Sequence, residues 1–417
     1  MTDAALERPV RPIGIGFTAA YGLAQVGAFT CFVPLLQVLA PLKAAAIDPV
    51  HKTTLLATIV FLGAIVASLA NLAAGVISDH TRSRFGRRRP WLVAGLIGSL
   101  FAYWLIYAAK TPLGLIVGIV TFQLAFNFLF SALVAILPDR VPDAQKGKVS
   151  AVAVLGFPVG SVVGAALVGR LFHAEAARYL ALSVVVAATL LPLILGLADA
   201  RFEQAKAPPR WSALLRSLWV DPRCHRDFAF AWTGRLLVGV AHSVVQAYLL
   251  FYLQDSVRYS RLFRGRPAEE GLSVLIAAAC VASVTAAIFA GLISDKLGRR
   301  KGFVTLGALL MAGAMAGLAL APTWNAVLAV YFVYGLGSGC FQATDMALVA
   351  QVLPRVRDAG KDLGVINLSN TLPQAAAPVM AVWLLGALHT DYRSLFLTVA
   401  VVGVAGGLLI LPIRSVR

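Results

Sequence analysis

Polar residues in this chain fall in short clusters, and the stretches between them are apolar for about 20 residues at a time, the length a helix needs to cross a bilayer core ~30 Å thick. Each stretch therefore predicts a membrane-crossing helix. Twelve are predicted, at 12–41, 53–78, 90–109, 112–137, 149–171, 177–198, 228–253, 271–294, 302–321, 324–352, 363–388 and 394–413. The polar clusters also repeat. GVISDHTRSRFGRRRP (75–90) matches GLISDKLGRRKG (291–302), and LPDRVPDAQKGKVSAVAVLGFPVG (137–160) matches LPRVRDAGKDLGVINLSNTLPQAA (353–376). FVPLLQ (32–37) echoes LLFYLQ (249–254). Three matches in one order, at nearly constant offset, predict two six-helix bundles: 1–198 and 228–417, joined by a polar linker at 199–227. Within the linker WSALLRSLW reads as a short amphipathic helix on the inner membrane face.

Composition supports the membrane reading. The 417 residues are 59% hydrophobic and 13% charged, whereas soluble domains carry roughly 25% charged residues. A single soluble core stops growing well below this size and could not hide so much apolar surface. The expected fold class is an all-α membrane protein with the lipid bilayer as its surroundings.

A net charge of +17 raises the question of nucleic acid, and the positions of the charges answer it. If the N-terminus is cytoplasmic, 25 of the 36 Lys and Arg residues fall on the inner side. That asymmetry is the positive-inside pattern of a cell (inner) membrane protein with both termini cytoplasmic, and no nucleic-acid partner is expected. One segment breaks the pattern. SVRYSRLFRGRPAEEG (256–271) puts four arginines on the outer side, either as a tolerated solvated loop or as a gate or substrate-collecting surface. The four cysteines show no metal or disulfide spacing, and no cofactor is implied. The first twelve residues lack a cleavable signal pattern, so the first span is expected to stay in the membrane.

Two parallel six-helix halves are a common plan for secondary transporters. The repeated loop, G-x-x-x-D-x-x-G-R-[RK], resembles the signature of the major facilitator superfamily. Its longer first copy, SDHTRSRFGRRRPWLVAG, is similar to plant sucrose carriers and their relatives, and more distantly to the glycoside–pentoside–hexuronide symporters. The resemblance implies the major facilitator fold. It also implies a gating role for Gly75, Asp79, Arg82, Gly86, Arg87 and Arg88, and for Gly291, Asp295, Gly298, Arg299 and Arg300. From physics alone, Asp79 and Asp295 oppose the C-terminal dipoles of their helices and need partners. The neighbouring arginines would serve, as would, by the superfamily's pattern, a helix N-terminus in the other half. Gly75 and Gly291 are expected to admit a closely packed helix. Such a cluster would latch the cytoplasmic side.

The resemblance also points helices 1, 4, 7 and 10 at a central cavity, and polar residues recur on them at helical spacing. Helix 1 offers Tyr21 and Gln25, and helix 4 offers Gln123 and Asn127. Helix 7 offers Arg235, His242 and Gln246. Helix 10 offers Tyr331, Tyr334, Ser338, Gln342 and Asp345, and helix 11 adds Asn367, Asn370 and Gln374. Ionisable groups inside a membrane are costly and are functional candidates by default. Arg235 and Asp345 sit at like depth from the inner face and are expected to pair, for structure alone or as a proton or substrate switch. His242 lies near mid-membrane, where it either packs or contacts substrate or protons.

Departures from the resembled families matter as much. The positions of the acid and the arginine that sucrose carriers hold on helix 4 are occupied by Gln123 and Val134. The helix 2 cation-binding carboxylates of melibiose-type symporters fall at Ala67 and Asn71. Coupling to an ion would then have to use Asp345 or His242. Amide, phenol and hydroxyl groups suit a small neutral polyhydroxyl ligand, because each buried hydroxyl must find a partner. The first reading is import of a sugar or glycoside with a proton by alternating access. The second is export of a drug-like or natural-product molecule by proton antiport. The third is an assembly factor for pigment–protein complexes, against which the aligned polar stripes count. No P-loop, metal cluster or nucleophile constellation appears, so an enzyme is not expected.

Overall fold

The computed structural model describes residues 12–197, 226–352, 359–387 and 391–413, and every regular element among them is a helix. The expected linker and its amphipathic segment lie outside the described residues, except for the first turn of the seventh helix. In chain order the helices are α1 Ile15–Ile47, α2 Lys52–His80, α3 Arg89–Ala108 and α4 Pro112–Arg140. Then come α5 Ala144–Leu171, α6 Glu175–Gly196, α7 Arg226–Asp255 and α8 Ala268–Leu297. The last are α9 Arg300–Leu320, α10 Trp324–Val352, α11 Ala359–Val382 and α12 Tyr392–Leu408.

Ten of these are long and apolar enough to cross a membrane, and two shorter apolar helices, Thr371–Leu385 and Tyr392–Leu408, occupy the positions of the last two expected spans. The 17 residues of α12 cover about 26 Å, near the lower limit for crossing. Large apolar side chains such as Ile97, Leu180, Leu195 and Val401 are exposed on the helix surfaces. Large apolar side chains exposed in this number on apolar helices suit lipid rather than water. The protein is a multi-pass membrane protein.

Contacts divide the chain into two compact units, residues 1–47 with 65–208, and residues 48–64 with 209–417. Within the first unit α3 packs along α4 and α6, and α1 packs against α5 and α6. Within the second, α9 packs along α10 and α12, and α7 against α11 and α12. The pairing repeats helix for helix with an offset of six, as the sequence repeats predict. One boundary differs from the expected domains: the first half of α2 groups with the second unit. Its Lys52 ammonium sits 2.8 Å from an Asp255 carboxylate oxygen and 4.9 Å from the centre of the Phe251 ring. Asp255 also accepts a hydrogen bond from the Tyr392 hydroxyl at 3.0 Å.

Close packing of α5 on α1 depends on absent side chains. Gly156, Gly160 and Gly164 recur every fourth residue on α5, facing α1. A Cβ on Gly160 would lie 2.6 Å from the Val26 carbonyl oxygen, and one on Gly164 would lie 2.6 Å from Pro34. Small residues at this spacing let two membrane helices approach closely. Pro34 has no N–H to continue the helical ladder. Just beyond it α1 opens into a wide π turn at Leu35–Leu39, then resumes. Further polar ties fix the helix ends. Lys43 donates to the Tyr107 carbonyl and to Glu175 at 2.6 and 2.7 Å. Lys301 donates to the carbonyls of Leu411 and Ile413, each at 2.9 Å. Asp391 caps α12 by accepting from the Ser394 N–H at 2.9 Å, and that bond holds its carboxyl below the usual range.

Candidate transport site

In the second unit, α7 and α10 bring Arg235 and Asp345 together as a hydrogen-bonded ion pair, both side chains largely buried. Arg235 lies nine residues into α7 and Asp345 seven residues before the end of α10, about 13 and 10 Å along their helices. The two helices run in opposite directions, so these depths coincide. A buried charge pair is held only if each member stays matched, because removing one strands the other.

Two turns further along α7 a second polar layer begins. The Tyr334 hydroxyl lies 2.5 Å from His242 Nδ1, and the Gln246 amide nitrogen lies 3.4 Å from His242 Nε2. The His242 and Tyr334 rings stack nearly parallel, at 8° and 5.9 Å between centroids. Tyr331 stacks on Tyr334 in turn, at 5.1 Å. Between the two layers Gln342 donates to the Ser338 hydroxyl at 2.8 Å. Along the stripe of α10, Tyr334, Ser338, Gln342 and Asp345 each meet another polar group, and Tyr331 joins through its ring.

The first unit holds its own polar residues in the same local manner. Gln25 donates to the Tyr21 hydroxyl at 3.0 Å, one turn back on α1, and both are buried. On α4, Asn127 donates to the Gln123 carbonyl at 2.8 Å, while its own oxygen accepts from Asn71 of α2 at 3.4 Å. Asn71 was expected only as the place of a missing carboxylate. It joins the amide chain instead.

At the 78–92 loop the structure builds a compact charge cluster inside the first unit. Arg88 donates to Asp79 at 2.6 Å and to Asp139 at 2.8 Å, and also to the Ser78 hydroxyl. Arg87 contacts Asp139 at 2.7 Å and Asp79 at 4.0 Å. Asp139 was not among the expected gating residues. It lies in LPDR at the end of α4, and the corresponding residue of the second half, in LPRV, is an arginine, so repeat matching hides it. Arg82 is exposed and takes no part in the described cluster. Gly86 and Gly298 both adopt positive φ, 94° and 63°, where a side chain would be strained. Arg299 is exposed and Arg300 half-buried at the start of α9.

No close helix approach is found at Gly75 or Gly291 among the described residues. A Cβ on Gly75 would meet only the Ser131 hydroxyl at 3.8 Å, and one on Gly291 would meet nothing within 4 Å among the described residues. Near approaches occur at glycines elsewhere, among them those of α5 and of α10, where a Cβ on Gly339 would lie 2.0 Å from the Ser283 carbonyl oxygen. Gln374 is half-buried on α11. The side chains of Asp295, Asn367 and Asn370 lie outside the described residues.

Comparison with known proteins agrees with this architecture. The family model of the Major Facilitator Superfamily matches residues 23–280 and 265–417, nearly the whole chain. The chain belongs to the Major Facilitator Superfamily. Members of known structure share its fold. A peptide transporter POT in complex with sulfate aligns with TM-score 0.73 at 13% identity, over 97% of this chain and 96% of that one. A POT family transporter in complex with a thioalcohol conjugated peptide aligns at 0.69 and 13%, over 95% of each chain. By sequence, 120 residues are 34% identical to the multidrug resistance protein MdtL of Escherichia coli O81 (strain ED1a), which is 29% of this chain and 30% of that protein. A stretch of 121 residues is 32% identical to the uncharacterized symporter sll1374 of Synechocystis sp., covering 27% of this chain and 22% of that one. The matches thus span less than a third of the curated relatives' length. Superfamily membership makes the protein a transporter and not an enzyme. The sucrose-carrier likeness of its first loop remains a narrower matter.

Proposed function

We propose that the protein is a secondary active transporter that imports a small polar solute, a sugar or glycoside, together with a proton. It works by alternating access in the cell (inner) membrane, with both termini cytoplasmic. The Arg235–Asp345 pair carries this reading. Asp345 is the one Asp or Glu of the sequence placed more than about a turn inside a predicted span, so it is the natural seat for a coupling proton. Protonation removes its charge, loosens the ion pair and frees the Arg235 guanidinium for solute hydroxyls. The amides and phenols of α1, α4, α7 and α10 supply donors and acceptors suited to a polyhydroxyl ligand. The loop resemblance to sucrose carriers and the similarity to a symporter support the same direction.

A second reading, export of a drug-like molecule by proton antiport, is favoured by the stretch similar to MdtL. The two are separated by reconstituting the protein in vesicles and imposing a pH gradient. Accumulation of a labelled sugar or glycoside down the proton gradient supports import. Proton-driven extrusion of a fluorescent dye, with no sugar accumulation across a broad panel, overturns import in favour of export.

A further inference from the structure

The four arginines that break the charge pattern are held on a built platform. Between the end of α7 at Asp255 and the start of α8 at Ala268 the chain makes one helical turn, Tyr259–Leu262. Arg258, Arg261, Arg264 and Arg266 are all exposed around it. Arg266 reaches Glu270 at 3.4 Å, and no carboxylate pairs with the other three among the described residues. Leu262, in their midst, is 56% exposed. Beneath them Tyr259 is buried, with its ring 4.8 Å from both Phe263 and Trp324. Gly271 seats that ring, since a Cβ there would lie 2.7 Å from it. The turn is therefore braced against the first residue of α10. Arg258 is the one described non-glycine residue at positive φ, 52°, a conformation the packing must hold in place.

We propose that this turn is a binding surface for the phosphates of anionic lipid headgroups, in the leaflet opposite the 296–301 loop. The placement follows from length. The 30 residues of α7 and of α8 each span about 45 Å, the thickness of a bilayer with its headgroups, so the turn joining them lies at headgroup level. Tryptophan and tyrosine collect at that level, as Trp324 and Tyr259 do here. Guanidinium forks match phosphate oxygens geometrically and keep their charge at any physiological pH. A membrane, rather than a dissolved anion, also accounts for Leu262, because an apolar side chain exposed among the arginines is buried only if acyl chain lies against it. Each basic side chain near an anionic surface strengthens attraction by roughly fivefold.

The test places a nitroxide at Leu262→Cys after replacing the four native cysteines, and reads its collision rates with oxygen and with an aqueous nickel chelate. The protein is reconstituted in phosphatidylcholine alone or mixed with phosphatidylglycerol. The expected result is a label favouring oxygen over chelate, with protection from chelate rising on adding phosphatidylglycerol. Changing the four arginines to glutamine should lower that lipid-dependent rise at least about fivefold, and changing them to lysine should retain part of it. A label equally open to chelate in both vesicles would overturn the proposal, as would protection by a phosphorylated solute in phosphatidylcholine alone. The second result would make the turn a solute-collecting surface.

Discussion

The Tyr334 hydroxyl holds His242 at 2.5 Å through Nδ1 while the two rings lie nearly parallel. The histidine is therefore fixed in orientation by α10 and, through Gln246, by its own helix. A group so placed presents one defined face to anything moving along the stripe. Tyr334→Phe keeps the stack and removes the hydroxyl. It should lower stability by about 1 kcal/mol, the usual net value of one hydrogen bond, measured by thermal unfolding in detergent. Its apparent substrate affinity should fall further than that of Tyr331→Phe, whose hydroxyl does not meet the histidine in the structure. Equal effects of the two would separate His242 from substrate handling.

The charge cluster on α2, α3 and α4 makes a different prediction. Asp139 accepts from both Arg87 and Arg88. Asp139→Asn should cost about 1.5–3 kcal/mol, as for hydrogen bonds to charged groups, and Asp79→Asn a similar amount. Arg82→Ala should change stability by less than about 0.5 kcal/mol. If the cluster latches the cytoplasmic side, transport by Asp139→Asn falls and labelling from that side increases. A stable Asp139→Asn protein with normal transport and unaltered labelling would leave the loop as a topology anchor.

Two glycines should part company on mutation. Gly160→Leu drives a side chain into the α1 backbone, where a Cβ already lies 2.6 Å from a carbonyl oxygen, and should prevent recovery of folded protein. A Cβ on Gly291 would meet nothing within 4 Å among the described residues, and Gly291→Leu should be recovered at wild-type yield, as judged by gel filtration. Loss of both, or of neither, would contradict the packing described.

The helices and their repetition were legible because lipid makes hydrophobicity the dominant signal: about 20 apolar residues and a polar break define each span. The pairing of Arg235 with Asp345 was legible for the same reason, since a charge at depth has few possible partners. Helix packing was less so. The loop glycines stand out by their repetition, whereas Gly156, Gly160 and Gly164, which pack closely against α1, lie in a GFPVGSVVG run that also reads as ordinary apolar helix. Asp139 was hidden because the matching position of the other half holds an arginine. Its role depends on where α4 ends in space, a distance that periodicity does not encode. The grouping of Lys52 with the second unit is likewise a tertiary fact, set by Asp255, 203 residues away.

On the proposed reading Asp345 takes up the coupling proton and, in doing so, gives up its pairing with Arg235. Asp345→Asn alone strands Arg235, and an uncompensated charge at this depth costs at least ~2.5 kcal/mol on insertion scales. The more direct measurement uses the neutral double variant, Arg235→Gln with Asp345→Asn, reconstituted in vesicles with a labelled solute that the wild-type protein accumulates. The double variant should fold, still exchange solute across the membrane, though with weaker apparent affinity for want of the Arg235 guanidinium, and fail to accumulate it when a pH gradient is imposed. Gradient-driven accumulation at the wild-type level by a well-folded double variant would contradict the claim. The pair would then hold α7 to α10 and nothing more.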